Sequence, residues 1–309
     1  MSSTQWMTSM VMVMGLAVGG CDEPEAAVLD DEARSPTMDV VGTARDASEV
    51  ASSVCDVGAT YIDCEAESIF LDVDGEDREV LYRVPPGSAP AGGWPVVIAL
   101  HGTNDPAGKF FDWSYFSFVD QAFGGYYETK TTQGLLDAGF AVLAPKARVR
   151  AGSIYWDTNI PPYASDWESS PDAALFEQLF DEIDMGTFGP LDSSRKYAMG
   201  LSSGGYQASR LAVEYPEEIQ AIALQSASYA TCISSFPCSV SAQDVPDDHP
   251  PTLLMAGYWD GIVPLYTIEP YAEALDDDGT EVVLEVVGYA SHQWTSYSPG
   301  WVLSWFQTH

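Results

Sequence analysis

The chain has few positively charged residues. Its 309 residues include 12 Lys and Arg against 46 Asp and Glu, which gives a formal net charge of −34 at pH 7. Nucleic acids and anionic membrane surfaces are themselves negatively charged and would repel such a protein. The composition therefore argues against nucleic acid, and against a bare anionic membrane, as a binding partner.

Long apolar runs are also missing. The side chains of residues 10–20 are apolar or small, which is typical of the hydrophobic part of a signal peptide and too short to span a bilayer. The following Val18-Gly19-Gly20-Cys21 resembles the lipobox of bacterial lipoproteins, although residues 1–10 contain no Lys or Arg. We predict a lipoprotein-type signal peptide at residues 1–20, cleaved before a lipidated Cys21. An ordinary secretory signal with an incidental Cys21 is the alternative. The protein is accordingly expected in the cell envelope, touching a membrane through its lipid only, or outside the cell.

Cysteine is scarce, and its distribution agrees with export. Besides Cys21 the chain has two close pairs, Cys55 with Cys64 and Cys232 with Cys238. An even number of cysteines in an exported protein predicts disulfides, and we expect each close pair to bond, although four cysteines allow three connectivities. Metal binding is the weaker interpretation, because no C-x-x-C occurs and no histidine stands at ligand spacing from either pair.

The rest of the chain divides into a short acidic segment and one large domain. Residues 21–53 are acidic and poor in aromatics, which predicts a disordered tether, and residues 54–309 are predicted to form the folded domain. Predicted strands alternate there with predicted helices, which favours an α/β fold with a mostly parallel central sheet and helices on both faces. The predicted strands are 69–73, 80–84, 95–100, 140–144, 197–199, 219–224, 252–256 and 282–287, and the main predicted helices are 134–139, one beginning near 170, 205–215 and 301–308.

The segment Gly200-Leu201-Ser202-Ser203-Gly204 is the most informative motif. It reads G-x-S-x-G and stands between a predicted strand and a predicted helix. This context is what a nucleophile elbow of an α/β-hydrolase requires, since a strand must turn sharply into a helix and hold the serine clear of the sheet edge. Ser202 is therefore the candidate nucleophile.

A serine nucleophile needs a base and a group that orients the base, and in this fold they follow it in the order acid, then histidine. The chain has only four histidines, and His292 is the one that follows the last predicted strand and precedes the closing helix. Asp260 comes shortly after the strand at 252–256. Other acidic residues, Asp244, Asp247 and Asp248, lie in a polar loop before that strand. We predict His292 as the base and Asp260 as its orienting acid.

Backbone amides and aromatic rings complete the predicted site. An oxyanion hole needs two N–H groups, and we predict those of Ser203, next to the nucleophile, and Thr103, in the turn after the first buried strand. Trp259 and Trp294 neighbour predicted catalytic residues, and Trp156 lies in a loop at the same sheet edge. These three tryptophans are the candidates for a substrate pocket.

Taken together, these motifs resemble one family, the secreted poly(3-hydroxybutyrate) depolymerase, feruloyl esterase and acetylxylan esterase group of α/β-hydrolases. The matching pieces lie between residues 77 and 309 and are Ala99–Gly102, Tyr197–Gly205, Gly257–Pro264 and Ser291–Trp294. The resemblance implies a serine carboxylesterase with Ser202, Asp260 and His292 as its triad and with no metal or organic cofactor. The chain departs from the family in two respects: it carries no separate polymer-binding module, and its aromatic-rich segment 105–130 matches nothing in the pattern.

The prediction is an exported serine carboxylesterase that forms an acyl-enzyme on Ser202. Its substrate would be a polyhydroxyalkanoate-, feruloyl- or acetyl-type ester, as a small molecule, an oligomer or a polymer. A serine peptidase of the same fold is one alternative, because a triad also cleaves amides. A non-catalytic surface adhesin built on a hydrolase scaffold is the other.

Overall fold

A computed structural model describes residues 53–232 and 239–309 of the chain. The predicted signal peptide, the lipidation site Cys21 and all but the last residue of the predicted tether lie outside this part. Among the helices in the described ranges, none combines the length and the apolar character needed to cross a membrane.

Strands and helices alternate along the described residues much as the sequence predicts. The strands are β1 (Asp56–Val57), β2 (Tyr61–Asp63), β3 (Glu67–Val73), β4 (Glu76–Arg83), β5 (Trp94–Leu100), β6 (Asp112–Ser114), β7 (Ala141–Pro145), β8 (Val149–Arg150), β9 (Ser153–Ile154), β10 (Leu191–Leu201), β11 (Ala221–Gln225), β12 (Thr252–Gly257) and β13 (Val282–Val287). The α-helices are α1 (Phe118–Gln121), α2 (Gly125–Asp137), α3 (Pro171–Asp184), α4 (Ser203–Glu214), α5 (Leu265–Asp278) and α6 (Ser298–Thr308). Short 3-10 turns cover Ala107–Phe110, Ala122–Gly124, Trp167–Ser169 and Ala242–Asp244.

The central sheet has eight strands in the order β13-β12-β11-β10-β5-β7-β4-β3. The six strands from β13 to β7 pair in parallel, whereas β4 pairs antiparallel with both β7 and β3. The predicted strands at 69–73 and 80–84 lie in β3 and β4, which form a hairpin through Asp74 and Gly75. The arrangement confirms the predicted α/β-hydrolase fold with a mostly parallel sheet. In such a sheet the loops at the carboxyl ends of the strands share one edge, which is where a site is expected.

Helices cover both faces of this sheet, because its central strands are apolar on both sides. In β5, Val96 and Ile98 belong to the core layer under α3, α4 and α5, while Val97 and Ala99 belong to the layer under α2 and α6. Successive side chains of a strand point to opposite faces, so an unbroken apolar run feeds two cores at once.

The aromatic-rich segment 105–130 holds most of what the sequence did not predict. It contains the strand β6, which pairs with β2 in a small three-stranded antiparallel sheet, and it contains α1. Helix α2 begins at Gly125 rather than at residue 134, and its first turns bury several polar side chains. Thr129, for example, donates a hydrogen bond of 2.6 Å to the carbonyl of Lys109. A polar face of this kind hides the apolar periodicity that predicts a helix.

A disulfide closes the start of the domain. Cys55 and Cys64 are bonded, which confirms one predicted pair, and both side chains are buried. The amide of Cys64 also donates to the carbonyl of Phe111 at 2.8 Å, which ties the small sheet to the segment before β6. Cys232 is buried, but Cys238 lies outside the described residues, so the second pairing stays a prediction.

Removing the first disulfide is expected to lower thermal stability without abolishing activity. The bond joins residues nine apart in sequence, and closing a loop of this size stabilises a domain by about 2–3 kcal/mol. The double variant Cys55→Ala, Cys64→Ala should therefore melt about 5–10 °C below wild type. Thermal denaturation of both proteins checks this, and a melting temperature within about 1 °C of wild type would contradict it.

Candidate active site

Ser202 stands at the sharp turn between β10 and α4. Its backbone has φ 55° and ψ −122°, a conformation that costs a non-glycine residue about 1–3 kcal/mol. Hydrogen bonds hold it there, since the Ser202 amide donates to the carbonyl of Gln225 at 2.9 Å and the Ser202 carbonyl accepts from the amide of Tyr206 at 2.9 Å. A Cβ on Gly204 would lie 1.9 Å from the carbonyl oxygen of Leu100. The last glycine of the motif is thus required for α4 to pack against the end of β5.

Asp260 and His292 lie at the same edge, just beyond β12 and β13. His292 Nδ1 is 2.8 Å from Asp260 Oδ2. The other oxygen, Oδ1, accepts hydrogen bonds from the amides of Ile262 at 2.9 Å and Val263 at 2.8 Å. Both side chains are buried. Because an ionised carboxylate only accepts hydrogen bonds, the His292 proton belongs on Nδ1, which leaves Nε2 as the acceptor.

The electrostatics of Asp260 keep it ionised. Burial by itself raises the pKa of this carboxyl. Hydrogen bonds from His292 and from the amides of Val263 and Ile262 act in the opposite direction, and the pKa of Asp260 lies below its ordinary value. Its charge therefore persists through neutral and mildly acidic pH.

Ser202 and His292 line one cavity of about 280 Å³. Apart from these two residues its lining is largely apolar. The lining residues are Gly102, Thr103, Phe123, Leu201, Ser202, Ile262 and His292.

A second cavity of about 340 Å³ also has Ser202 in its wall. It shares Thr103 and Ser202 with the first and has a more aromatic and polar wall. Its lining residues are Thr103, Tyr155, Trp156, Asn159, Ile160, Ser202, Ser203 and Tyr206. Ser202 therefore stands where two cavities meet.

The two predicted oxyanion donors flank this meeting point. Ser203 is the first residue of α4, where backbone N–H groups have no intrahelical acceptor and carry the positive end of the helix dipole. Thr103 lies in the turn after β5 and lines both cavities. Both residues thus lie beside Ser202.

The three candidate pocket tryptophans occupy three different environments. Trp156 lines the second cavity, and its Nε1 donates to the carbonyl of His101 at 2.9 Å. Trp294 is fully buried in the core layer with α2 and α6, and Trp259 is 69% exposed. Neither of them lines either cavity, so Trp156 is the one candidate of the three in a cavity wall beside Ser202. Adjacency to a site residue in sequence does not give the direction of a side chain, because the loops after β12 and β13 turn sharply.

Phe123 and Ile262 take the places expected of those tryptophans. The ring of Phe123 lies 6.0 Å from that of His292, nearly perpendicular to it. The sequence marks segment 105–130 as aromatic-rich but does not distinguish Phe123 from its aromatic neighbours. The two glycines that follow it were the available signal, since paired glycines mark a tight turn.

The surroundings of His101 give it a structural role. It is buried, its Nδ1 faces the carbonyl of Gly102 at 2.8 Å, and its Nε2 accepts from the amide of Ala147 at 3.0 Å. Burial lowers the pKa of His101 to about 4. Both ring nitrogens are occupied and the ring is neutral at pH 7, so His101 braces the loops after β5 and β7.

Solved structures with the same architecture define the class of protein. An S-formylglutathione hydrolase from Agrobacterium tumefaciens superposes with a TM-score of 0.55 at 15% identity, covering 82% of this chain and 97% of that one. A lipase/esterase from Lactobacillus plantarum gives a TM-score of 0.54 at 15% identity, covering 79% and 98%. At these identities the likeness defines the fold, which is that of the α/β-hydrolases.

The sequence places the chain more narrowly. Residues 73–296 match the family described as "Putative esterase". Over 250 residues the chain is 42% identical to a poly(3-hydroxyoctanoate) depolymerase of Pseudomonas fluorescens, covering 80% of this chain and 86% of that protein. The chain belongs to this esterase family, and it is an enzyme that hydrolyses carboxylic esters.

Proposed function

We propose that Ser202 is the nucleophile of this esterase, that His292 is its general base and that Asp260 orients His292. The observation that carries the proposal is the 2.8 Å contact between His292 Nδ1 and Asp260 Oδ2, in a histidine that lines one cavity with the strained Ser202. Strain at a non-glycine residue survives where the surroundings enforce it, as they do at functional sites.

The reaction follows from these roles. His292 Nε2 takes the hydroxyl proton of Ser202 as Oγ attacks the ester carbonyl, and the developing oxyanion is held by the amides of Ser203 and Thr103. The ionised Asp260 stabilises the imidazolium. His292 then protonates the departing alcohol oxygen, leaving an acyl group on Ser202. Water, deprotonated by the same histidine, releases the acid and restores the serine.

The two cavities suit the two sides of an ester. The alcohol oxygen must depart on the side of His292, because His292 gives it a proton. We therefore assign the alcohol portion to the cavity of Phe123 and Ile262. The acyl portion then extends into the cavity of Tyr155 and Trp156. An ester with sizeable groups on both sides fills both cavities, and a unit inside a polyester chain is such an ester.

The surroundings of the first cavity favour an apolar, uncharged substrate. Besides the elbow and the turn after β5, three segments contribute to its wall: 113–127 with Phe123, 258–266 with Ile262, and 287–301 with His292. In a chain with 46 acidic residues, these segments contain only two charged residues, Asp120 and Asp260. We call their exposed large side chains the apolar rim, which consists of Tyr115, Phe116, Phe118, Val119, Phe123, Tyr126, Tyr258, Trp259, Ile262, Tyr266, Tyr289 and Tyr297.

A polyester of medium-chain 3-hydroxyacids is the substrate class that we propose. Its support is the relative described as a poly(3-hydroxyoctanoate) depolymerase, together with the apolar rim and the paired cavities. We further propose that the enzyme is exported, either held in the cell envelope by lipid on Cys21 or released. The signal-peptide pattern and the Cys55–Cys64 disulfide support export, since disulfides persist in oxidising compartments.

Hydrolysis of emulsified polyesters tests the substrate class. The full chain is expected to clear poly(3-hydroxyoctanoate) at least about tenfold faster than poly(3-hydroxybutyrate), since each additional buried methylene contributes up to about 0.8 kcal/mol. Turbidity loss and titration of released acid give the two rates. A preference for the short-chain polymer, or clearance of neither polymer by an enzyme that cleaves p-nitrophenyl butyrate, would refute the substrate class and leave the esterase assignment intact. An aminoacyl p-nitroanilide serves as the control for peptidase activity.

A further inference from the structure

Three titratable side chains are buried together beside the active site, and the proposed chemistry uses none of them. Lys109 Nζ lies 2.7 Å from Asp105 Oδ1 and 3.5 Å from Glu128 Oε2. At most 3% of each side chain is exposed. We call these residues the Lys109 cluster. Burying charged groups is unfavourable unless they are paired, so this cluster calls for a physical role.

The cluster connects three elements that come together next to Phe123, a wall residue of the first cavity. Asp105 lies in the loop after β5, Lys109 in the 3-10 turn Ala107–Phe110, and Glu128 in the first turns of α2. Lys109 Nζ also donates a hydrogen bond of 2.9 Å to the carbonyl of Ala122. The lysine thus fixes the residue that directly precedes Phe123.

The turn that carries Phe123 is held from both sides. Phe123 has φ 55° and Gly124 has φ 74°, so two successive residues are left-handed. The Phe123 carbonyl accepts a hydrogen bond of 2.9 Å from the amide of Trp294, two residues after His292. A Cβ on Gly124 would lie 2.2 Å from the carbonyl oxygen of Trp294. The turn is therefore packed between Lys109 and the loop of His292.

Phe123 is the residue through which this packing reaches the site. Its ring lines the cavity that Ser202 and His292 share, and it meets the His292 ring edge to face at 6.0 Å. A left-handed phenylalanine needs support from its surroundings. Lys109 supplies that support through the carbonyl of Ala122, and the backbone of Trp294 supplies it through the carbonyl of Phe123.

We propose that Lys109 is a positioning residue: paired with Asp105 and Glu128, it holds the turn at Ala122–Gly124 and thereby places Phe123 as the wall of the alcohol-side cavity. The proposal rests on the roles given above to Ser202 and His292 and extends them to substrate selection. A wall held in this way favours esters of larger alcohols. Without the lysine, the Phe123 ring is no longer held in place, and this preference is lost.

The charge state of the cluster provides a second way to disturb it. Burial and the neighbouring Asp105 raise the pKa of Glu128 to about 8, so Glu128 is protonated at pH 7 and the pair Asp105–Lys109 is neutral overall. Asp120 also faces Asp105 and, after burial, helps to raise the pKa of that carboxyl. Above pH 8 Glu128 ionises, and the cluster then carries an excess negative charge. The Glu128 carboxylate competes with the carbonyl of Ala122 for the ammonium group of Lys109.

The test compares ethyl butyrate with hexyl butyrate, hydrolysed by the full-length enzyme in a pH-stat. At pH 7 the ratio of kcat/KM for the hexyl over the ethyl ester is expected to fall at least about fivefold in Lys109→Met. Phe123→Ala should give a similar loss. Lys196→Met is the matched control, because Lys196 is also a buried lysine paired with two acids, Asp184 and Glu218. It lies six residues before Ser202, about 20 Å along the extended strand, and its ratio should equal that of wild type.

Glu128→Gln keeps the proposal testable if Lys109→Met does not fold. Glutamine resembles the protonated acid, so this variant should match wild type at pH 7. At pH 9 the wild-type ratio should be at least about threefold lower than at pH 7, whereas that of Glu128→Gln should be unchanged. Equal ratios in wild type and Lys109→Met, or parallel pH profiles in wild type and Glu128→Gln, would overturn the proposal. Failure of the catalytic roles themselves would be recognised separately, as ester hydrolysis that survives Ser202→Ala.

Discussion

Replacing Ser202 with alanine is expected to lower kcat/KM on p-nitrophenyl butyrate by about a thousandfold or more, because the acyl-enzyme can no longer form. The residual rate would come from binding and from the oxyanion donors. A fluorophosphonate should label wild type stoichiometrically and should not label the variant. Stopped assays at high enzyme concentration give the residual rate.

Ser209→Ala is the matched control for this experiment. Ser209 lies on the same helix, α4, and its buried hydroxyl donates to Tyr271 at 3.1 Å. Its removal should affect stability modestly and leave labelling intact. A Ser202→Ala enzyme with more than about a tenth of wild-type activity would contradict the proposed nucleophile.

Asp260→Asn is expected to lower kcat by about a thousand- to ten-thousandfold with little change in fold. The asparagine oxygen can still accept from the amides of Ile262 and Val263, which turns its NH₂ group toward His292. His292 would then present an unprotonated Nδ1 to that donor and carry its proton on Nε2, where it cannot act as a base. Steady-state kinetics with p-nitrophenyl butyrate measure the loss.

Asp192→Asn provides the comparison, since Asp192 also accepts hydrogen bonds, from the amide of Ser194 and the side chain of Arg195. It lies at the start of β10, at the opposite end of that strand from Ser202. Its activity should equal that of wild type.

The pKa of Asp260 is lowered in the folded state, so the stability that this carboxylate contributes is present above its unfolded pKa and is lost as the pH falls through its folded pKa. Asp260→Asn should therefore melt with a weaker acid dependence than wild type. An enzyme that keeps its kcat after this substitution would remove Asp260 from the mechanism.

The sheet and the elbow could be predicted because their sequence requirements are strict. An apolar run such as Pro95–Leu100 suits only a strand buried on both faces, and β5 has that environment. The contact between Gly204 and Leu100 leaves no room for a side chain, so the G-x-S-x-G motif reflects a packing requirement as well as a chemical one. The order serine, acid, histidine along the chain then limited the candidate base to His292 and favoured Asp260 as the acid. The structure places these two side chains 2.8 Å apart.

The walls of the cavities could not be predicted because they depend on tertiary partners. Glu128 and Thr129 are buried polar residues, which makes the start of α2 look like a loop in the sequence. Trp294 points into the core although it is two residues from His292. Phe123 reaches the cavity only because its turn is held by Lys109 and Trp294, which lie 14 residues before it and 171 after it.

The contrast between the apolar rim and the acidic remainder of the protein also affects product release. Ester cleavage turns a neutral bond into a carboxylic acid whose pKa is about 4, so the acid leaves as an anion at neutral pH. A polymer without charge approaches the apolar rim unopposed, whereas its anionic fragment is formed in the negative field of a protein with a net charge of −34. The field drives the product outward, and it is screened beyond about 10 Å at 0.1 M salt. Product inhibition should consequently be weakest in dilute buffer and should grow with ionic strength.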